Sequence, residues 1–163
     1  MRTRSLVSLL GFGALTAAAG FIGARATRKS VDTPWYNVLL RKPPFQPPKQ
    51  VFAPVWTSLY ALIAGSGARV FAAPPSPERT RALALWGTQL ALNASWSVIF
   101  FGARKPKWAL ADLGLLLAAI GAYMHQAHKV DRAAAYMVAP YLAWSGFAAL
   151  LNEEIVRRNP RLA

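Results

Sequence analysis

Residues 35–60 read WYNVLLRKPPFQPPKQVFAPVWTSLY and carry the clearest indication of fold class in this chain. Prolines and three basic side chains lead directly into an apolar run that carries Trp56 and Tyr60. Aromatic and cationic side chains at the edge of a long apolar segment are typical of a water–lipid interface. Because proline fixes φ, we expect the proline-rich part to hold one shape above that interface.

The composition of the whole chain also indicates a membrane protein. Its 163 residues are 55% hydrophobic with a mean hydropathy of +0.27, and we interpret residues 1–163 as a single membrane domain. The net charge is +13. Because the cations stand between apolar runs rather than on one polar face, we expect membrane lipid as their partner and no nucleic acid. The chain has no cysteine, which excludes disulfides and cysteine-based metal sites.

Five apolar runs have the length of membrane-spanning helices. They are too long and too continuous for the strands of a membrane barrel. We therefore predict an all-α membrane protein, a bundle of five transmembrane helices with a kink at Pro140. The third run holds polar side chains that must face other helices or a cavity. The predicted helices are residues 5–24, 51–73, 82–102, 108–123 and 133–152, with a lid loop at residues 25–50.

The distribution of lysine and arginine predicts the orientation of the bundle. Six lie in residues 25–50, three in residues 103–107 and three in the C-terminal tail, and a chain with five spans places these three regions on one side of the membrane. The regions on the opposite side hold six. The positive-inside rule then puts the lid loop and the C terminus in the cytoplasm. The first run, which follows Arg2 and Arg4, also fits a signal peptide, although it is long for one.

Aromatic and amide side chains are predicted to converge beneath the lid loop, because residues three, four and seven apart share a helix face. Flat apolar walls with a few amide and indole donors suit a large, rigid hydrophobic guest such as a porphyrin, a sterol or a polycyclic drug. The alternative is that these aromatics only pack the bundle or form an interfacial belt. The candidate pocket residues are Trp56, Tyr60, Asn93, Trp96, Phe100, Trp108, Trp144, Ala148 and Asn152.

Catalytic and metal-binding patterns are nearly absent from the sequence. His125 and His128 fall at the outer end of the predicted fourth helix, away from the pocket, so we expect no metal site and no axial haem ligand. Glu153 and Glu154 precede a pair of arginines and indicate a solvated interface. No phosphate-binding loop and no nucleophile triad is present. We therefore expect no required cofactor and favour a protein that is not an enzyme.

Seven motifs carry a resemblance that covers nearly the full length. They are GFIGAR at 20–25, WY at 35–36, KP at 42–43 followed by PP at 47–48, PVWTSLY at 54–60, QLALNASW at 89–96, IFFGAR at 99–104 continuing into WALAD at 108–112, and PYLAWSGFAALLN at 140–152. With them the chain resembles the translocator protein family (TspO/MBR), which includes tryptophan-rich sensory proteins and the peripheral-type benzodiazepine receptor. The first motif resembles the end of that family's first helix, which disfavours the signal peptide.

The resemblance implies a five-helix membrane bundle, commonly a homodimer, whose pocket opens toward the first loop and binds porphyrins and synthetic ligands. Some bacterial members are reported to degrade protoporphyrin in light, which makes Trp144 a candidate for porphyrin oxidation here. Carried over by position, the resemblance assigns ligand contacts to Trp56, Asn93, Trp108, Trp144, Ala148 and Leu151 and lid positions to Trp35 and Tyr36.

One position departs from the animal members of the family. They carry a proposed cholesterol motif built on a tyrosine after Leu-Asn, where this chain has Glu153. We therefore do not expect cholesterol as the natural ligand, and we favour a bacterial membrane over the mitochondrial outer membrane of a eukaryote. In order of preference, the predicted functions are a tetrapyrrole receptor or sensor, a porphyrin or lipid transporter, a protein that degrades porphyrin with light or oxygen, and an assembly protein without a small ligand.

Overall fold

A computed structural model describes residues 2–162; Met1 and Ala163, the ends of the predicted domain, lie outside the described residues. Every regular element in the described range is helical, which confirms the all-α class. The elements are α1 (Arg2–Val31), a first π-helix (Trp35–Leu39), α2 (Lys49–Ala72), α3 (Pro77–Ser97), a second π-helix (Val98–Gly102), α4 (Pro106–Val130), α5 (Arg132–Met137) and α6 (Ala139–Arg158).

The predicted count of five membrane-spanning helices is not confirmed by the length and composition of the helices. By length and composition, four stretches of the described chain can cross a membrane, and they make it an integral membrane protein: Leu6–Val31, Lys49–Ala72, Pro106–Val130 and Arg132–Arg158. The remaining long helix, α3, is less apolar because it carries charged side chains in its first turns and buried amides at Gln89 and Asn93. The described residues hold five long helices, of which four, the last together with α5, are apolar enough to cross a membrane.

The loop predicted at residues 25–50 is much shorter in the structure, and that prediction is corrected here. The first helix continues to Val31, and residues 35–39 form a π-helix that closes with a 2.9 Å hydrogen bond from the Leu40 N–H to the Trp35 carbonyl. Apart from a turn at residues 32–33, the part without helix before α2 begins is limited to residues 40–48. Four prolines lie in this part, and each removes an N–H donor and keeps the residue before it out of the helical region.

The last predicted span, at residues 133–152, consists of two helices. Helix α5 ends at Met137 and α6 begins at Ala139, so Val138 separates them. Pro140 has no N–H to donate to the carbonyl of Tyr136 and its ring crowds the preceding turn, which places the break at this point. Helix α6 then continues to Arg158, beyond the predicted end.

Side-chain to backbone hydrogen bonds gather the proline-rich loop and the C-terminal part of α6 at one end of the bundle, called the loop end below. The Asn159 side chain accepts from the Arg41 N–H and donates to the Arg41 carbonyl, both at 2.9 Å. Two turns earlier, the Asn152 amide donates to the Pro106 carbonyl at 2.9 Å. These bonds hold the loop and the start of α4 against the same helix.

At the opposite end, Asp131 ties α2 to the turn before α5. Its carboxylate lies 2.9 Å from the Arg69 guanidinium and accepts the Ala134 N–H at 3.0 Å. Although partial burial raises the pKa of Asp131, the Ala134 N–H and the Arg69 guanidinium together hold that pKa below its usual range. The carboxylate therefore stays charged at neutral pH and caps α5.

The centre of the bundle is built around Trp86 of α3. Its indole N–H donates to the Ile63 carbonyl at 2.9 Å, and only 3% of the residue is exposed. The Phe12 ring of α1 packs edge-on against it at a centroid distance of 4.6 Å. This contact passes directly over Gly67, where a Cβ would lie 2.5 Å from the Phe12 ring and 2.6 Å from the indole nitrogen. The absent side chain at Gly67 thus allows α1, α2 and α3 to meet.

Candidate functional site, an aromatic cavity

A cavity of about 690 Å³ lies in the half of the bundle that adjoins the loop end. Its lining residues come from α1, α2, α3, the second π-helix and α6. Tyr36 and Gln46 line it at the loop end. Among the described residues, none from α4 or α5 lines it. A space of this size and apolar character is typical of small-molecule sites.

The walls of the cavity are mostly flat rings. Trp96 stacks on Phe100 with their centroids 5.4 Å apart and an angle of 28° between the planes. In another part of the wall, Trp144 meets Phe52 edge-on at 5.9 Å, which joins α6 to α2. Rings held by such contacts present rigid apolar faces, so the cavity suits a guest that is itself flat and stiff.

The polar groups deep in the cavity are already paired with one another. The Tyr60 hydroxyl donates to Asn93 Oδ1 at 2.8 Å, and Asn93 Nδ2 donates to the Tyr141 hydroxyl at 3.1 Å. The Trp96 indole N–H donates to Asn152 Oδ1 at 3.2 Å. Buried amides need such partners, and here they tie α2, α3 and α6 together. The amides therefore fix the shape of the wall and offer a guest few free donors.

Tyr36 has a different role where the cavity meets the loop end. Its hydroxyl oxygen accepts a hydrogen bond from Gln46 Nε2 at 3.1 Å, and the Lys42 ammonium lies 3.7 Å from the centre of its ring. Burial raises the pKa of Tyr36 despite the Gln46 hydrogen bond, so the phenol stays neutral. Burial and the neighbouring charge of Lys49 lower the pKa of Lys42. Tyr36 thus joins the π-helix to the proline-rich loop over the cavity.

The structure brings most of the sequence-derived site residues around this cavity, but not Trp35 or Trp108. Trp35 is 7% exposed and lies behind the wall, edge-on to Phe100 at 6.2 Å. Trp108 is 68% exposed and lies on the surface of the bundle. The residues that line the cavity are Tyr36, Trp56, Tyr60, Asn93, Trp96, Phe100, Trp144, Ala148, Leu151 and Asn152.

The position of Trp108 follows from how α4 packs. The helix lies against α3 and α6, behind the cavity, and its buried face at the loop end includes Pro106 and Ala109. A residue adjacent to Ala109 is turned by about 100° around the helix, which directs Trp108 outward. An exposed indole flanked by Lys105 and Lys107 is typical of an interfacial anchor.

Sequence reasoning missed the contribution of α1 to the cavity. Its lining residues include Ala17, Gly20, Ala24, Thr27 and Arg28, which recur at three- and four-residue intervals on one face. At Gly20 a Cβ would lie 2.8 Å from the Tyr60 ring, so glycine permits the close approach of α1 to α2. The helical spacing was available as a signal, but alanine and glycine carry no chemistry that marks a site.

The histidines and carboxylates of the described residues lie outside the cavity. His128 is in ring contact with Tyr136 at 5.9 Å at the far end of α4. Glu154 pairs with Arg157 at 2.6 Å and Arg158 at 2.7 Å on the surface of α6. In the described part of the chain, no three His, Cys, Asp or Glu side chains are grouped to hold a metal ion.

Removing the Asn159 side chain is expected to loosen the proline-rich loop. The Asn159→Ala variant loses both hydrogen bonds to the Arg41 backbone, and trypsin should cut the Arg41–Lys42 bond about tenfold faster because the loop opens more often. Cleavage after Lys42 is blocked by Pro43, so one fragment pair reports the event. Arg158→Ala, which removes an exposed neighbour without a loop contact, should leave the rate unchanged. Equal rates in both variants would show that Asn159 does not anchor the loop.

Comparison with known proteins identifies a family and several proteins to which this chain is similar. The sequence profile of the TspO/MBR family matches residues 12–158, which include every residue that lines the cavity. The chain is 37% identical over 155 residues to the translocator protein of Bos taurus, covering 94% of this chain and 90% of that protein. It is 36% identical over 147 residues to the tryptophan-rich protein TspO of Chlorobaculum tepidum, covering 90% and 92%. It is 37% identical over 139 residues to the tryptophan-rich sensory protein of Cereibacter sphaeroides, covering 84% and 85%.

Proposed function

Because the chain belongs to the TspO/MBR family, we propose that it is a membrane receptor or sensor that binds porphyrins and similar flat hydrophobic ligands in the aromatic cavity. The supporting observation is the cavity of about 690 Å³ with Trp96, Trp144 and Trp56 on its walls. Indole faces stack on flat conjugated rings, and the paired amides at the back leave most of the wall apolar. A tetrapyrrole has the rigidity and breadth that such walls favour.

We propose that α3 also crosses the membrane, which gives the five spans expected from the sequence. With the second π-helix it forms a continuous helical stretch over residues 77–102, about 39 Å long at about 1.5 Å per residue, enough for a hydrocarbon core of about 30 Å. Two of its polar side chains are covered inside the bundle: Ser95 donates to Asp112 of α4 at 2.7 Å, and Gln89 is 1% exposed. Helices at this depth can be polar where other helices cover them.

We further propose a homodimer in a bacterial membrane. The family resemblance supports the pairing, and Gly114, Ala118 and Ala122 form an exposed small-residue stripe on α4 that allows close approach of a second helix. Glu153, in place of the tyrosine of animal members, supports a non-steroidogenic setting. Cross-linking of the intact protein in its native membrane would measure the pairing.

Replacing Trp144 is expected to weaken porphyrin binding, and Trp108 provides a matched control. In the dark, Trp144→Ala should lower the affinity for protoporphyrin by roughly tenfold, because loss of one stacking face removes about 1–2 kcal/mol. Trp108→Ala removes the same side chain from the lipid-facing surface and should bind as the unaltered protein does. The measurement is the Soret band shift during titration in detergent. Equal loss in both variants, or linear uptake without saturation, would refute binding in this cavity.

Trp144 also supports an alternative function, the light- or oxygen-dependent degradation of porphyrin, because its indole lies in the wall where a bound ring would stack. The same titration under illumination separates the two. A fall in porphyrin absorbance that needs both light and Trp144 would favour degradation. Stable absorbance under illumination would favour a receptor, and flux into sealed vesicles would identify a transporter.

A further inference from the structure

The charge on the cavity wall is of one sign. Arg28, in the last turns of α1, and Lys49, the first residue of α2, both line the cavity near the loop end. Among the lining residues none is Asp or Glu. The ion pairs found between described residues involve Arg69, Arg157 and Arg158, and so leave both of these cations without a carboxylate.

A neutral hydrogen-bond donor lies in the same part of the wall. The Tyr36 hydroxyl receives the Gln46 N–H on its oxygen, so its own hydrogen is not used in that bond. The residue is 8% exposed and lines the cavity. Deeper in the cavity, by contrast, the hydroxyl of Tyr60 already donates to Asn93. Free donors and positive charge therefore lie at the loop end, and the apolar rings extend inward from them.

We propose that Arg28, Lys49 and Tyr36 form an anion subsite that selects guests carrying carboxylate groups on one edge of an apolar body. This inference rests on the proposed function and names its substrate class, an amphiphilic organic acid. The acid edge would face the cations at the loop end and the ring system would lie between Trp96 and Trp144. Charge-assisted hydrogen bonds to carboxylates are stronger than neutral ones. Since Arg28 and Lys49 are exposed, solvent screens their contribution.

The test compares protoporphyrin with its dimethyl ester, which keeps the ring and removes both charges. In the dark and in a non-ionic detergent, the unaltered protein should bind the acid about tenfold more tightly than the ester. The double variant Arg28→Gln/Lys49→Gln should erase that preference by weakening binding of the acid far more than binding of the ester. The preference should also shrink as salt is added, because exposed charges are screened.

The matched control removes two charges near the C-terminal end of α1, where Arg28 also lies, and leaves the cavity wall unaltered. Arg25 and Lys29 are exposed and do not line it, so Arg25→Gln/Lys29→Gln should keep the acid preference. Equal affinity for acid and ester in the unaltered protein, or a preference that survives Arg28→Gln/Lys49→Gln, would overturn the subsite while the proposed function stands. If neither the acid nor the ester binds saturably, the proposed function itself is refuted.

The phosphate of a lipid headgroup carries the same negative charge as a carboxylate, so a separate comparison of two lipids distinguishes it from the guest. Phosphatidylglycerol or phosphatidylcholine is added to the micelles at equal mole fraction. We expect the acid preference to persist in both. Loss of the preference with phosphatidylglycerol alone would assign the cations to a lipid headgroup and overturn their assignment to the guest.

Discussion

Porphyrin binding is expected to weaken strongly when Ala148 is replaced by phenylalanine. Ala148 lies on α6, one turn after Trp144, and its methyl group lines the cavity. A benzyl group at this position projects into the space between the rings, and Trp144 and Leu151 prevent it from turning aside along the same face. The affinity for protoporphyrin should fall roughly a hundredfold, equivalent to about 2.8 kcal/mol, because a rigid macrocycle cannot share the cavity with it.

The control for this variant is Ala143→Phe on the same helix. Ala143 is exposed, and it lies five residues before Ala148, which turns it by about 140° onto another face. The same volume is then added outside the cavity, and binding should be unchanged. Both variants should keep the far-ultraviolet circular dichroism of the unaltered protein. Full binding by Ala148→Phe would place the ligand elsewhere in the bundle.

Much of the wall that these variants test could be anticipated from the sequence, because helical spacing alone puts Asn93, Trp96 and Phe100 on one face. The resemblance to the family added Leu151 and supported Ala148, which spacing does not distinguish from ordinary core residues. The all-α class followed from the length and continuity of the apolar runs. These features depend on residues that are close together along the chain, so the spacing of residues along each helix is enough to predict them.

The features that sequence reasoning placed wrongly or missed depend on which helices are neighbours. Trp108 was assigned to the pocket because the fourth helix begins at the same end, yet α4 packs behind α3 and α6. Arg28 and Lys49 were counted only as interfacial charges, because sequence reasoning did not place α1 at the cavity and did not extend the pocket to the first residue of α2. The length of the lid loop was overestimated because a π-helix at residues 35–39 has no distinctive pattern of residue types.

The folded bundle is expected to be strongly destabilised when Gly67 is replaced by alanine. The new Cβ would lie 2.5 Å from a Phe12 ring carbon and 2.6 Å from Trp86 Nε1, well inside van der Waals contact. Trp86 cannot withdraw without breaking its 2.9 Å hydrogen bond to the Ile63 carbonyl, and its indole is buried. The strain therefore moves α1 outward, and overpacking of this kind costs about 1–3 kcal/mol.

Thermal unfolding in detergent, followed by tryptophan fluorescence, should show a clear fall in Tm for Gly67→Ala. Gly121→Ala is the control, because Gly121 is an exposed helix residue where a new methyl group would meet no atom within 4 Å, and alanine favours the helix there. Its Tm should stay equal or rise. Adding Phe12→Leu to Gly67→Ala should recover part of the loss, since it removes the ring that the methyl meets. An unchanged Tm for Gly67→Ala would mean that α1 adjusts freely and does not depend on this contact, whereas a loss that Phe12→Leu relieves would identify Gly67 as the point where three helices are held together.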